Sequence, residues 1–220
     1  MKEINSTDYH DYVIKDGKLI AQFEQMYRNA CDIPWRQNQQ ESWIDVRLTK
    51  ELLEDEKNIS RVIDYGCGTG HYLDILVRSM GGSGLGFDIS ETAVVKAQSN
   101  FPNYSFKTGD LMNPNSFDVA SINEESIHVI RGTLWYVFPK LSVVIKNIVD
   151  QMSVGDTLLV VQNFPPLNSN FVGKEVIPDP QTLINLINRS SLSLQKSIWY
   201  EQFKDNANDS WFIGKFKKKL

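Results

Sequence analysis

Several things are missing from this chain, and each absence excludes a class of function. No run among its 220 residues approaches the roughly 18 to 20 consecutive apolar residues that cross a bilayer. The opening stretch, MKEINSTDYHDYVIKDGK, is polar and acid-containing and has no apolar core of the kind a secretory leader carries. These readings predict a cytoplasmic protein without a membrane partner. Excess positive charge is absent too, since 23 Lys and Arg stand against 27 Asp and Glu, for a net charge of −4. A nucleic-acid-binding domain usually carries a basic footprint, so no nucleic-acid partner is expected. Cysteine is scarce. Cys31 and Cys67 are far apart in sequence and read as free thiols in a reducing compartment. No His/Cys cluster has metal-ligand spacing, so no metal is expected. There is no internal repeat and no low-complexity stretch.

What is present is ordinary for a globular chain: 41% hydrophobic and 23% charged residues, with five Trp and eleven Phe available for a core. The length suits one domain, or one domain with an attached cap. The one basic cluster, Lys215, Lys217, Lys218 and Lys219, reads as the solvated end of a last strand. Nothing in the sequence sets an oligomeric state.

Residues 18–30 and 41–56 read as helices; in the second, Ile44, Leu48 and Leu52 form an apolar stripe. Between them lies a polar loop opened by Pro34. Beyond residue 60, strand and helix alternate. Arg61–Tyr65 is a strand, 71–80 a helix with Tyr72, Leu76 and Met80 on one face, and Leu85–Asp88 the next strand after a break at Gly81–Gly84. Ser90 can cap the following helix, with Glu91 in its first turn. Tyr104–Thr108 is a third strand. Two segments compete for the fourth, Phe117–Ser121 and Ile127–Arg131. The second is preferred because it leaves a normal crossover, through a helix at 139–152, to Thr157–Phe164. Residues 112–125 then form a long connection with one helical turn. A helix at about 180–190 and strands at 193–202 and 209–218 close the chain, joined by a turn at Asp205–Asp209. The prediction is an α/β fold: a doubly wound, mostly parallel seven-stranded sheet with an antiparallel last strand and an N-terminal helical cap. The expected division is 1–57 for the cap and 58–220 for the sheet domain.

Chemistry concentrates at Val62-Ile63-Asp64-Tyr65-Gly66-Cys67-Gly68-Thr69-Gly70-His71, where a strand runs into three glycines and a helix. Glycine is needed where backbone turns sharply and a ligand approaches closely. Asp88 ends the next strand, about twenty residues on, where an acid can take two ribose hydroxyls. Asp110 ends the third strand in Thr108-Gly109-Asp110-Leu111 and adds a polar group to the same rim. A nicotinamide or flavin fingerprint, G-x-G-x-x-G, fits less well because position 71 is His. There is no P-loop lysine.

With these motifs, Asp64–Gly70, Gly86-Phe87-Asp88-Ile89-Ser90 and Gly109-Asp110-Leu111, the chain resembles the class I S-adenosylmethionine-dependent methyltransferases over roughly residues 60 to 220. The resemblance implies S-adenosyl-L-methionine as cofactor. By it, Gly66, Cys67, Gly68 and Gly70 approach the amino acid and ribose part, and Asp64 holds the methionine ammonium. Asp88 binds the ribose, and Gly109, Asp110 and the Leu111 backbone meet the adenine, with Ile89 on its face. Tyr27 and Arg131 complete the set, Arg131 beside the sulfonium end. The segment Gly132–Pro139 is similar to that of bacterial small-molecule methyltransferases.

The expected reaction is transfer of a methyl group to an oxygen or nitrogen of a small molecule; an anionic sugar, a nucleotide-linked compound and a natural-product intermediate are the candidates. His10, Arg131 and Tyr136 are the candidates for a catalytic group. His128 reads as a core residue, and His71 as one nearer to cofactor than to substrate. Candidate substrate contacts are Trp35, Arg36 and Gln37 from the cap, Trp135 and Tyr136 after the fourth strand, and Phe164, Phe171 and Lys174 after the fifth. Two other readings stay open: a non-catalytic S-adenosylmethionine binder, and a methyltransferase acting on protein or nucleic acid.

Overall fold

Short apolar strands bounded by glycine alternate with amphipathic helices from Arg61 onward, a pattern that leads to a sheet with helices on both faces. A computed structural model describes residues 6, 8–119, 124–204 and 207–220. Residues 1–5 and Thr7 of the polar N-terminus lie outside the described residues, as do Ala120 and Ser121 of the rejected strand candidate and Asp205 and Asn206 of the expected turn.

Among the described residues the main sheet has seven strands: β3 (Arg61–Tyr65), β4 (Ser83–Asp88), β5 (Ser105–Thr108), β6 (Ser126–Arg131), β7 (Thr157–Phe164), β8 (Leu192–Lys204) and β9 (Ala207–Lys218). Their order is β5-β4-β3-β6-β7-β9-β8. The first five are parallel, and β9 runs antiparallel between β7 and β8. The fourth predicted strand is therefore the 127–131 segment, lengthened by Ser126, with Asp64 of β3 opposite Val129. Helices α2 (Ile44–Leu52), α3 (His71–Met80) and α4 (Glu91–Asn100) cover one face, where Val62, Leu76, Val129 and Val161 share a core. Helices α5 (Leu141–Asp150) and α6 (Pro180–Asn188) cover the other, around Tyr65, Phe87, Ile145 and Leu183. Ser90 caps α4 by accepting from Ala93 N at 3.1 Å.

The N-terminal part differs from its reading. Residues 18–30 are not one helix. β1 (Ile14–Lys15) and β2 (Lys18–Leu19) form a small hairpin, and α1 spans only Phe23–Asn29. The cause is Asp16-Gly17, whose φ values of 50° and 71° make the tight turn that an Asp-Gly pair favours. The expected helix at 41–56 shortens to α2. The polar loop before it is instead a run of 3-10 turns, Pro34–Ser42, broken at Trp35 and Arg36 by left-handed φ values of 53° and 48°.

The basic C-terminal cluster is also not a solvated tail. Lys215 is only 2% exposed. It pairs with Asp55 at 2.5 Å and Glu56 at 3.0 Å, just after α2. Lys217 meets Glu56 at 2.9 Å and Glu125 at 3.1 Å, and Lys218 Nζ donates to the Met152 carbonyl at 2.6 Å. Buried charges persist only when paired, and here the partners are distant in sequence.

Candidate active site

Strand β3 places Asp64 on the same face as Val62, and β6 places Arg131 on the same face as Val129, because alternate residues share a side of a sheet. The two strands are neighbours, so Asp64 and Arg131 converge at their carboxyl ends. This is the switch point where connections leave for opposite faces, the usual crevice for a ligand. A cavity of about 1120 Å³ opens there.

Asp64 is 2% exposed and lines the cavity, and no described residue gives its carboxylate a hydrogen bond. Burial pushes its pKa up to about 7; the Arg131 charge works against that rise and Asp88 adds to it. A buried carboxylate without donors is a receptor for a cation. Asp88 is the better satisfied acid. Its Oδ2 accepts from Gly68 N at 2.8 Å and its Oδ1 from Ser90 N at 2.9 Å. Burial still pushes it up to about 6, against those bonds. Next to it Ile89 stays 48% exposed, an apolar face turned into the cavity. Asp110 Oδ1 accepts from Met112 N at 2.9 Å, closing a turn on the same rim.

Gly66 explains why the loop needs glycine. Its φ is +85°, and a Cβ there would stand 2.3 Å from Thr133 Oγ1, so any side chain would block the approach of β3 to the segment after β6. Gly68 and Gly70 do not line the cavity. Gly68 lies under Gln37 and Tyr27, and Gly70 packs on Phe106 and Phe101. His71 is also outside the wall, with Nδ1 3.0 Å from Thr69 Oγ1 and its ring edge-on to Phe101.

The N-terminal segment covers the crevice and is strapped at three places. Glu24 of α1 accepts from Ser90 Oγ at 2.7 Å, Thr92 N at 3.1 Å and Thr92 Oγ1 at 2.5 Å. Gln37 Oε1 accepts from Thr69 N at 2.8 Å and Thr69 Oγ1 at 2.5 Å, while its Nε2 donates to Tyr27 Oη at 3.2 Å. Asp45 and Gln40 accept from Arg131. Between the straps Tyr9, Phe23, Tyr27, Trp35 and Tyr136 touch ring to ring.

Of the expected substrate contacts, Trp35, Arg36, Gln37, Trp135 and Tyr136 line the cavity. Phe164, Phe171 and Lys174 do not. Phe164 is a core residue, Phe171 packs edge-on against Trp135, and Lys174 Nζ donates to the Ser169 carbonyl at 2.5 Å. His10 lines the mouth, its Nδ1 2.8 Å from Asp8 Oδ1. His128 is fully buried, between Tyr65 Oη at 2.9 Å and Asp156 at 3.3 Å. The sequence reading missed Gln40, Asp45, Arg47, Asn163, Tyr200 and Trp211, all in the cavity wall; Trp43, which also lines it, belongs to the aromatic-rich stretch before residue 45. Tyr200 and Trp211 reach the wall through the β8–β9 pairing.

Comparison with known proteins agrees with this geometry. A family model described as a methyltransferase domain matches residues 56–205. The N-methyltransferase NodS of Bradyrhizobium japonicum WM9, solved with S-adenosyl-L-homocysteine, superposes at a TM-score of 0.67 and 15% identity over 90% of this chain and 98% of that one. The [4+2]-cyclase SpnF superposes at 0.63 and 14%, over 79% and 80%. A putative methyltransferase in complex with the Trm112 activator of Haloferax volcanii does so at 0.63 and 16%, over 84% and 94%. No curated protein matches. The fold is a Rossmann-like α/β sheet with a cavity at its switch point. The chain belongs to the family whose model it matches, the methyltransferase domains. Among the described residues, no helix is long and apolar enough to cross a membrane.

Proposed function

We propose that this protein transfers the methyl group of S-adenosyl-L-methionine to an oxygen or nitrogen of a small molecule, with residues 1–57 as a cap over the acceptor. The observation that carries the reading is the Asp64 carboxylate, buried and without a hydrogen-bond donor in the wall of a cavity of about 1120 Å³. Asp64 suits the methionine ammonium, Asp88 the ribose hydroxyls, Asp110 and the Leu111 backbone the adenine, and Ile89 its face. Gly66 and Cys67 border the same path, and Tyr27 with Gln37 covers Gly68.

The cofactor supplies an electrophilic methyl group on a neutral thioether leaving group. The residues of the chain then have to orient the acceptor, exclude water and remove a proton where the nucleophile carries one. The ring cluster of Tyr9, Phe23, Trp35 and Tyr136 forms a water-excluding wall. His10 is the better placed base: the Asp8 carboxylate engages Nδ1, so Nε2 is left to take the proton. Burial pushes the Tyr136 phenol well above its ordinary range, which suits it to donating a hydrogen bond. Arg36 and Arg47 both line the cavity, and neither has an ion-pair partner among the described residues. Two unpaired cations on the acceptor side favour an anionic acceptor.

The test is acceptor-dependent release of S-adenosyl-L-homocysteine, measured by chromatography over a panel of neutral, carboxylated and phosphorylated small molecules. Turnover with anionic members supports the reading. Tight cofactor binding without turnover on any acceptor would leave a non-catalytic binder instead.

A further inference from the structure

Arg131 is the most elaborately held side chain of the cavity wall. Its Nε and Nη2 donate to Asp45 Oδ2 at 2.9 and 2.6 Å, and its Nη1 donates to Gln40 Oε1 at 2.6 Å. Three rings enclose the guanidinium: Tyr72 at 4.7 Å, Trp211 at 5.2 Å and Trp43 at 5.7 Å from Cζ. Those contacts come from α2, α3, β9, the 3-10 run and Trp43 at the junction between that run and α2. Asp45 is 1% exposed. Two buried carboxylates, Asp45 and Asp64, therefore share one cation. The first takes its hydrogen bonds, and the second receives only its field.

The geometry points to Arg131 as a positioning residue rather than a direct ligand of the cofactor: its donors clamp the N-terminal segment onto the sheet through Asp45 and Gln40, and its charge keeps Asp64 ready for the methionine ammonium. This deepens the proposed function and rests on the cavity being the cofactor site. Three of the five N–H groups of the guanidinium are already committed to the protein. Turning the fork toward a ligand would leave Asp45 as an unpaired buried charge, which is strongly unfavourable.

The consequence is an electrostatic coupling with a sign that can be read. The groups facing Asp64 are Arg131 from β6, Asp88 from β4, Tyr72 from α3 and Cys67 from the glycine loop, with Asp45 of α2 behind Arg131. Burial pushes both the Tyr72 phenol and the Cys67 thiol up, so they stay neutral across the working range. Removing the Arg131 charge should raise the pH at which Asp64 ionises. Removing the Asp45 charge leaves Arg131 less neutralised and should lower it.

The experiment is calorimetric binding of S-adenosyl-L-homocysteine to the full chain between pH 5.5 and 8.5, for the wild type, Arg131→Gln, Arg131→Lys and Asp45→Asn. Titration of the ligand itself is common to all four and drops out of the comparison. The expected result is a midpoint that moves up in Arg131→Gln and down in Asp45→Asn, each by on the order of one unit. Arg131→Lys, which keeps the charge, should stay near the wild-type midpoint. A purely structural ion pair would weaken binding alike in both neutralising variants, at every pH, with the midpoints unmoved or moved the same way; that outcome overturns the inference. If Arg131→Gln does not fold, Asp45→Asn against Arg131→Lys still decides by the direction of the shift. Absence of binding to the wild type at any pH would instead overturn the cofactor reading on which this rests.

Discussion

A carboxylate buried without hydrogen-bond donors is costly to ionise, and Asp64 is such a group until a cation arrives. Its folded pKa of about 7 lies above the ordinary value of 3.8. The favourable contribution of this group to folding is thus fully present below about pH 4 and is lost as pH rises through 7. Asp64→Asn should remove that loss. We expect the ligand-free variant to melt above the wild type at pH 8 and to gain progressively less as pH falls toward 4, while its affinity for S-adenosyl-L-homocysteine falls by roughly 1.5–3 kcal/mol at pH 8. Thermal melts and calorimetry check both halves; a variant that melts lower than the wild type at pH 8 would mean that Asp64 has a protein partner. Asp88 behaves differently because it ties Gly68 N to Ser90 N. Asp88→Ala should weaken cofactor binding by about 1.5–3 kcal/mol and also cost about 1 kcal/mol or more of stability through the two orphaned amides. Unchanged affinity in a folded variant would leave Asp88 as a loop tie only.

At the scale of elements, the segment from Pro34 to Ser42 carries the cavity's outer wall on strained backbone. Non-glycine residues seldom adopt the left-handed region, and two in succession at Trp35 and Arg36 cost about 1–2 kcal/mol each. The straps through Gln37, Gln40 and Asp45 hold that conformation against its strain. Trp35→Ala with Arg36→Ala removes a ring and a charge from the wall but leaves the straps. If the segment is a lid, turnover should fall far more than melting temperature does. Several degrees lost with full activity retained would make it a stabilising flank instead.

At the scale of the whole molecule, the charge balance and the fate of the lysines argue together. The net charge is −4, and Lys215 and Lys217 are committed to Asp55, Glu56 and Glu125. Little of the counterion-release drive behind nucleic-acid binding is left. We expect no salt-sensitive shift of a duplex DNA or RNA probe at physiological salt, and a tight one would reopen a macromolecular acceptor. The same network should matter for folding. Lys215→Ala removes the cation that bridges two acids, Asp55 keeping Lys196 and Glu56 keeping Lys217, so we expect a loss of about 1.5–3 kcal/mol, the scale of a hydrogen bond to a charged group; chemical denaturation measures it, and a loss under about 1 kcal/mol would show the pair to be solvent-screened.

Local pattern was enough for the framework. Val62–Gly70, Gly86–Ser90 and Gly109–Leu111 carry their signal within a few residues, since a strand, a tight turn and a helix cap are each set by neighbours in the chain. The alternation from Arg61 onward was enough for a mostly parallel sheet and for the strand at 127–131, but not for the order of the strands. The hairpin at Asp16-Gly17 was legible too, but the apolar spacing around it pointed to a helix. Tertiary structure alone decided the rest. Asp45 sits in a helix whose polar residues read as solvent-facing, and only the arrival of Arg131 from 86 residues away makes its burial tolerable. Lys215 is a tail residue by sequence and a buried cation by contact with Asp55 and Glu56, 160 positions earlier in the case of Asp55. Trp211, Tyr200 and Arg47 join the cavity through strand pairing and helix docking, and Lys174 leaves it because its loop turns toward Ser169. Backbone conformation is chosen over distances of a few residues, whereas the pairing of buried charges and the closing of a cavity depend on which distant segments the sheet brings side by side.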